Sequence, residues 1–242
     1  MDIKILYEDK DVLVADKPAG IIAFPEGNIT EKTLIDHLIE KFPELKNTGD
    51  APRHGIVHRL DKDTSGILLV AKSTEALIFL QKQFKNREVE KKYVALATGT
   101  VKDDIGAIHT LIGRSKSDPR KQKVYSLDGT TKTGLREAIT DYKVLQRFEN
   151  YTLLEVQIKT GRKHQIRCHL AYIHHPIAGD AMYGFKDSPT PKGLSRQFLH
   201  ASYLKITLPR GEIKEFQSEL PSDLQNILTN LGKQYGNKNR NI

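Results

Sequence analysis

Two short stretches of this chain gather the residue types that do chemistry. In the first, His54-Gly55-Ile56-Val57-His58-Arg59-Leu60-Asp61-Lys62-Asp63-Thr64-Ser65-Gly66 sets histidines, an arginine and paired acids ahead of the apolar run 67–71. A carboxylate held on a turn at the lip of a buried strand can serve as nucleophile or as general base. In the second, Thr160-Gly161-Arg162-Lys163-His164-Gln165-Ile166-Arg167-Cys168-His169 puts a glycine and cations at a helix start. Backbone N–H groups and side-chain charge in that arrangement suit phosphate.

Spacing codes do not settle the first stretch. Asp61, Asp63, Ser65 and Gly66 fit the opening positions of a calcium loop, but the closing position is Lys72 where a bidentate Glu is required. His58-Arg59 begins like a kinase catalytic loop, but no Asp directly follows Arg59 and no glycine-rich loop precedes it. What remains is an acid-bearing turn, in which Asp61 or Asp63 could equally be a simple turn cap. In the second stretch, Ile166, Leu170 and Ile173 form an apolar stripe with Arg167 beside it. A guanidinium placed there is at least partly buried and needs a carboxylate, for which Asp61 is the natural candidate. His164, Cys168 and His169 suggest zinc, but neighbours on a helix point apart, so no metal is expected.

The elements that must position these residues read as follows. Residues 3–7 and 12–16 form a β-hairpin. Thr30 caps a helix with Leu34, Ile35, Leu38, Ile39 and Phe42 on one face, ended by Pro43. The run 67–71 has almost no polar face, so it is a central strand covered on both sides. Ser73 caps a helix that buries Ala76, Leu77, Leu80 and Phe84. Strands follow at 93–97 and 151–158, with a hairpin turn at Leu127-Asp128-Gly129 between them and a short helix after Thr160. Closing strands lie at 198–208 and 212–216. Ser222 and Gln225 make a capping box for a last helix that Gly232 ends. Strands outnumber helices and rarely alternate with them, so the fold class is α+β with a largely antiparallel sheet. Residues 1–232 are expected to form a single domain with no separate domain ahead of it, and 233–242 a disordered basic tail.

The net charge is +8, with 38 Lys and Arg against 30 Asp and Glu. The positive charge is clustered: Arg114, Lys116, Arg120, Lys121 and Lys123 crowd one segment, and Lys159, Arg162, Lys163 and Arg167 another. Clustered cations with few acids between them fit a nucleic acid and a merely solvated basic surface about equally on charge alone. No segment is apolar enough to span a membrane or to act as a secretion signal. The single cysteine, Cys168, excludes an internal disulfide, and a cytoplasmic protein is expected.

Both stretches resemble the RluA-type RNA pseudouridine synthases. His58-Arg59-Leu60-Asp61 with Thr64-Ser65-Gly66 is similar to that family's signature. The likeness continues through Lys92-Tyr93-Val94-Ala95, the segment 161–169, His174 to Asp180, Tyr183-Gly184 and Leu199-His200-Ala201. The resemblance implies a pseudouridine synthase fold with a catalytic cleft across the sheet, and isomerisation of an RNA uridine without cofactor or metal. It gives Asp61 the role of reacting carboxylate, Tyr93 a catalytic place stacked on the uracil with a part in removing the C5 proton, Leu199 a place in the uracil pocket, and Arg167 a catalytic place beside Asp61. Arg59 and Arg162 become contacts to RNA, together with Lys163, His164, Arg114, Arg120, Lys121 and Lys123. Lys163 and Cys168 depart from the family's usual residues. Large-subunit ribosomal RNA is the expected partner and a tRNA the alternative. The enzyme is expected to act as a monomer, and a non-catalytic RNA-binding or ribosome-assembly factor is the contrasting reading.

Overall fold

The computed structural model describes residues 1–26, 30–128 and 133–238. The chain divides into two compact units. One comprises Met1–Lys91 and Ala201–Glu219; the other takes Lys92–His200 and the chain from Leu220 on. The sequence reading drew one domain. Two of the three divisions fall inside strands, so no linker composition marks them.

In the first unit, β1 (Lys4–Glu8) and β2 (Val12–Lys17) form the expected antiparallel hairpin. The Asp9 carboxylate closes its turn by accepting the N–H groups of Asp11 and Val12. β2 pairs antiparallel with β3 (Ser65–Ala71), with Lys17 opposite Gly66. β9 (Leu199–Thr207) lies on the other side of β3 and pairs with β10 (Ile213–Gln217). Every residue of β3 is buried, as a continuous apolar run between neighbours on both sides requires. Ile67, Leu69 and Ala71 pack with Val12, Val14 and Leu204 in this unit's core.

The helices of this unit follow their caps. α1 (Leu34–Lys41) starts at Thr33 and not at Thr30. The Asp36 carboxylate accepts both the N–H and the hydroxyl of Thr33, and Thr30 has no acid at the matching position. A 3-10 turn at Pro43–Asn47 follows. α2 (Thr74–Asn86) is capped as expected, the Ala76 N–H donating to Ser73 Oγ at 3.1 Å.

The second unit is an antiparallel sheet in the order β4 (Glu90–Thr98), β8 (Tyr151–Ile158), β7 (Arg136–Arg147), β5 (Ile105–Arg114) and β6 (Gln122–Tyr125). α3 (Gln165–Tyr172) lies against β6 and β7. Its residues 165–170 are all buried, so the apolar stripe seen in sequence is only part of an enclosed helix. α4 (Ser222–Lys238) begins at Ser222 itself and runs through Gly232. A helical glycine costs only about 1 kcal/mol, which is no stop by itself. The tail expected to be disordered from residue 233 is therefore helical to Lys238. Residues 239–242, and the Gly129 of the expected hairpin turn, lie outside the described residues. No helix of the described residues is long and apolar enough to cross a membrane.

Candidate active site

Asp61 lies, half-buried, on a turn closed by the Thr64 N–H donating to its own carbonyl at 3.1 Å. The chain before that turn runs antiparallel along β3, which follows it. The Val57 N–H donates to Leu69 O, and the Ala71 N–H to Gly55 O. Gly55 allows this approach, because a Cβ there would sit 2.0 Å from Ala71 O. Gly66 turns the chain into β3 at φ +114°, with Ala201 O 2.2 Å from where its Cβ would be.

The turn is held from beneath by a residue the sequence did not suggest. Lys17 is fully buried, and its ammonium donates to the carbonyls of Pro18 (2.8 Å), Lys62 (2.9 Å) and Thr64 (2.9 Å). Removing a lysine from water is costly unless its protons find acceptors, and the turn supplies them. The same Lys62 carbonyl accepts the Gly20 N–H. Lys17 thereby ties the end of β2 to the loop that carries Asp61.

His58 anchors the chain just ahead of this loop. Its ring stacks on Phe84, centroids 4.9 Å apart, and Nε2 accepts the Leu69 N–H at 3.1 Å. Burial, with a smaller contribution from Lys91, pushes its pKa down to about 3, so the ring remains the neutral acceptor that this bond needs. Arg59 is exposed and paired with Glu26. Its guanidinium and that of Arg53 both lie over the Phe24 ring, at 5.5 and 4.7 Å. Arg53 is a second exposed cation beside Arg59 that the sequence reading did not single out.

In the second unit, Tyr93 is buried on β4 opposite Val156, and Leu199 is buried at the start of β9. The segment before α3 is organised by Gln165. Its Oε1 accepts from the Thr160 hydroxyl and the Arg162 N–H, and its Nε2 donates to Ile139 O and Thr140 Oγ1. One N–H group expected to face phosphate, that of Arg162, is therefore engaged by a side chain. The Arg162 Nε donates to Glu137 O at 2.9 Å. Lys163 is exposed, and His164 takes the left-handed conformation at φ 55° where α3 begins.

Arg167 is 6% exposed, and a carboxylate does hold it. Asp180 is such a carboxylate: Nε donates to Oδ2 at 2.7 Å and Nη2 to Oδ1 at 2.9 Å. Burial pushes the Asp180 carboxyl up, but the two-pronged Arg167 pair and the N–H groups of Met182 and Tyr183 hold it below its ordinary value. The Tyr183 ring lies 5.2 Å from the guanidinium. Asp180 is thirteen positions from Arg167, and its signal in the sequence was only its place after Gly179 in the Pro176–Asp180 segment.

His169 is fully enclosed, with Nδ1 2.8 Å from Thr140 Oγ1 and Nε2 2.9 Å from Thr110 Oγ1. Burial, then the charge of His109, pushes its pKa down to about 4. The Cys168 thiol is buried and donates to Gln165 O within the helix. Among the described residues, no three His, Cys, Asp or Glu side chains are grouped so as to hold a metal ion.

The basic segment between β5 and β6 places Arg114, Lys116 and Arg120 in solvent. Arg120 is gripped by Asp118 through Nε and Nη2, a pairing that holds the Asp118 carboxyl down at about 2. Lys121 lies over the Tyr183 ring and Lys123 over Tyr125.

The first unit thus holds a clamped acidic turn, and the second a buried arginine and a basic hairpin. Residues 11–172 match the family model described as RNA pseudouridylate synthase. The RNA pseudouridine synthase YlyB of Bacillus subtilis is 42% identical over 96% of this chain and 74% of its own length. The ribosomal large subunit pseudouridine synthase D of Borreliella burgdorferi is 38% identical over 96% of this chain and 69% of its own. Among solved structures, human RNA pseudouridylate synthase domain containing 1 superposes with a TM-score of 0.75 at 28% identity, over 93% of this chain and 87% of that one. The chain belongs to the RNA pseudouridylate synthase family, RluA-type branch, whose members isomerise uridine in RNA to pseudouridine.

Proposed function

We propose that this protein converts specific uridines of large-subunit ribosomal RNA to pseudouridine, with Asp61 as the reacting carboxylate. The observation that carries the proposal is the Asp61 turn: it lies within the residues that match the family model, and the buried Lys17 ammonium fixes the loop that presents it. The reaction is an isomerisation. The C1′–N1 bond of uridine breaks, the base turns, a C1′–C5 bond forms, and the C5 proton is lost while N1 gains one. Asp61 acts at the ribose, attacking C1′ or taking a ribose proton, and both routes use an ionised carboxylate. The target base is flipped out of its stack to be reached. Tyr93 stacks on the uracil, Leu199 lines its pocket, and Arg167 supplies a charge fixed by Asp180.

Arg59, Arg162, Lys163, His164 and the cations of the β5–β6 hairpin contact the RNA backbone. A ribosomal substrate is favoured because relatives 38% and 35% identical to this chain carry the name ribosomal large subunit pseudouridine synthase D. A cytoplasmic, monomeric enzyme without cofactor fits that substrate.

The test has two arms. Asp61→Asn should reduce pseudouridine formation to the uncatalysed background while RNA affinity is kept, and Asp63→Asn should cost less than about threefold. Wild-type turnover by Asp61→Asn removes Asp61 from the chemistry. Mapping pseudouridine in RNA from cells with and without the gene should show sites missing from large-subunit ribosomal RNA. Sites missing from tRNA alone would move the substrate there.

A further inference from the structure

Tyr183 stands at a junction that the chemistry above does not use. Its hydroxyl oxygen accepts the backbone N–H of Gln122 at 2.7 Å and lies 2.9 Å from His164 Nδ1. An oxygen that already accepts one bond keeps its proton to donate, and the imidazole nitrogen is the acceptor in reach. The ring lies against the Arg167 guanidinium on one side of the cluster, while Lys121 Nζ is 6.0 Å from its centroid. The Tyr183 N–H donates to Asp180 Oδ1, the oxygen that also receives Arg167 Nη2. One side chain thus touches the basic hairpin, the segment before α3 and the buried ion pair.

The hairpin needs such a tether. β6 is the last strand in the sheet order, and its ladder with β5 ends at the pair Arg114 and Gln122. Beyond that pair the loop is held by the Ser115 N–H to Lys121 O and the Lys121 N–H to Asp118 O, both internal to the loop. An edge strand offers backbone groups on its outer side, and the phenol takes the Gln122 N–H there. Val124 and Tyr183 pack together against Ile112, Ala138 and Cys168, so the contact has an apolar floor. Burial pushes the phenol's pKa up, which keeps its proton in place at working pH.

We propose that Tyr183 is a positioning residue that latches the basic β5–β6 hairpin to the Arg167–Asp180 pair, so that RNA seated on the hairpin is registered against Arg167. The inference rests on the reading of Arg167 as part of the reacting site. The phenol hydroxyl supplies the latch, and the ring supplies a flat platform for the guanidinium.

Tyr183→Phe removes the hydroxyl and keeps the ring. In the free protein, hydrogen exchange at the Gln122 amide should accelerate by about tenfold while amides of β7 and β8 stay protected. With an unmodified large-subunit ribosomal RNA transcript, Kd should rise by about tenfold with the slope of log Kd against log salt unchanged, since no cation is lost. Lys121→Ala should instead lower that slope by about one. The single-turnover rate at saturating RNA should also fall by about tenfold in Tyr183→Phe, because registration against Arg167 is loosened. Gln122→Pro deletes the same bond from the other side and should reproduce the rise in Kd, which keeps the question decidable if Tyr183→Phe folds poorly.

Unchanged exchange at Gln122 overturns the latch. Faster exchange with wild-type Kd and rate overturns its link to Arg167. If the wild-type protein makes no pseudouridine, the proposed activity fails, whereas exchange at Gln122 and RNA affinity still decide the latch.

Discussion

The Asp61 turn and the Arg167 helix solve the same problem with opposite parts. Each must hold one charged group still. In the first, a buried cation grips backbone: Lys17 donates to three carbonyls, two of them within the turn, and thereby fixes the path of the chain. In the second, a buried anion grips a side chain: Asp180 takes two guanidinium nitrogens and fixes the head group. A backbone clamp controls where a residue starts, and a bidentate clamp controls where a side chain ends. The distinction suits the parts. An aspartate has a short side chain, so placing its backbone nearly places its oxygens. An arginine has a long one, so only a grip at the tip will do.

The largest effects should come from breaking the side-chain clamp. Arg167→Lys keeps the charge but loses the fork, and its single-turnover rate at saturating RNA should fall by about a hundredfold. Asp180→Asn removes the anion from a buried two-pronged pair and should lower unfolding stability by about 3 kcal/mol in denaturant titrations at neutral pH. Arg167→Met with Asp180→Leu removes both charges together. That double variant should regain most of the stability without regaining the rate. Recovery of the rate as well would show that the pair only holds the fold.

Breaking the backbone clamp should cost less. Lys17→Met takes away a donor shared by the Pro18, Lys62 and Thr64 carbonyls. Stability should drop by about 2 kcal/mol, and the saturated rate by about tenfold as Asp61 loses its fixed origin. A Lys17→Met protein with the wild-type rate and a lowered melting temperature would mean that the turn keeps its path without the ammonium. The comparison drawn above would then fail on its first half.

How much of this was legible follows from which forces are local. The all-apolar run of β3 announced a doubly covered strand, and Ser73 announced a helix start, because burial and capping are written within a few residues. The Asp61 turn was legible for the same reason. Lys17 was not, since Asp-Lys-Pro-Ala-Gly reads as a surface turn and the carbonyls that justify its burial lie 45 and 47 positions away. Arg167 was correctly expected to be buried and to need a carboxylate. The part played by Asp180 could not be read, because it depends on how the 176–180 segment returns to α3. Thr30 was preferred to Thr33 because a capping residue is common and its partner is not; Asp36 decides it. The division into two units left no mark because its borders run through β4 and β9.

The smallest expected effect concerns two histidines, one in each unit, that are kept neutral for their acceptor or donor bonds. Burial of His169 between Thr110 and Thr140, with a smaller contribution from His109, pushes its pKa down to about 4. His58 is set between Phe84 and the Leu69 N–H with Lys91 nearby, and is pushed to about 3. Above the unfolded value of about 6.5 neither state of either residue takes a proton, so these groups leave stability independent of pH. Below it the unfolded chain binds protons that the folded one refuses, and stability falls until the folded pKa is reached. Asp180 works in the same direction but only at lower pH, because its folded pKa is depressed and its contribution is lost as pH falls below the ordinary carboxylate value of about 3.9. The interval between about 6.5 and about 4 therefore belongs to the histidines. His169→Gln should keep a polar bridge to the threonines and flatten the decline of unfolding free energy across that interval. His58→Gln should flatten it at least as much, because the folded His58 ring, pushed to about 3, refuses a proton across the whole interval. Guanidinium titrations at a series of pH values would read both slopes. A slope unchanged in His169→Gln would mean that the imidazole is already protonated when folded, with the threonine hydroxyls turned to accept from it.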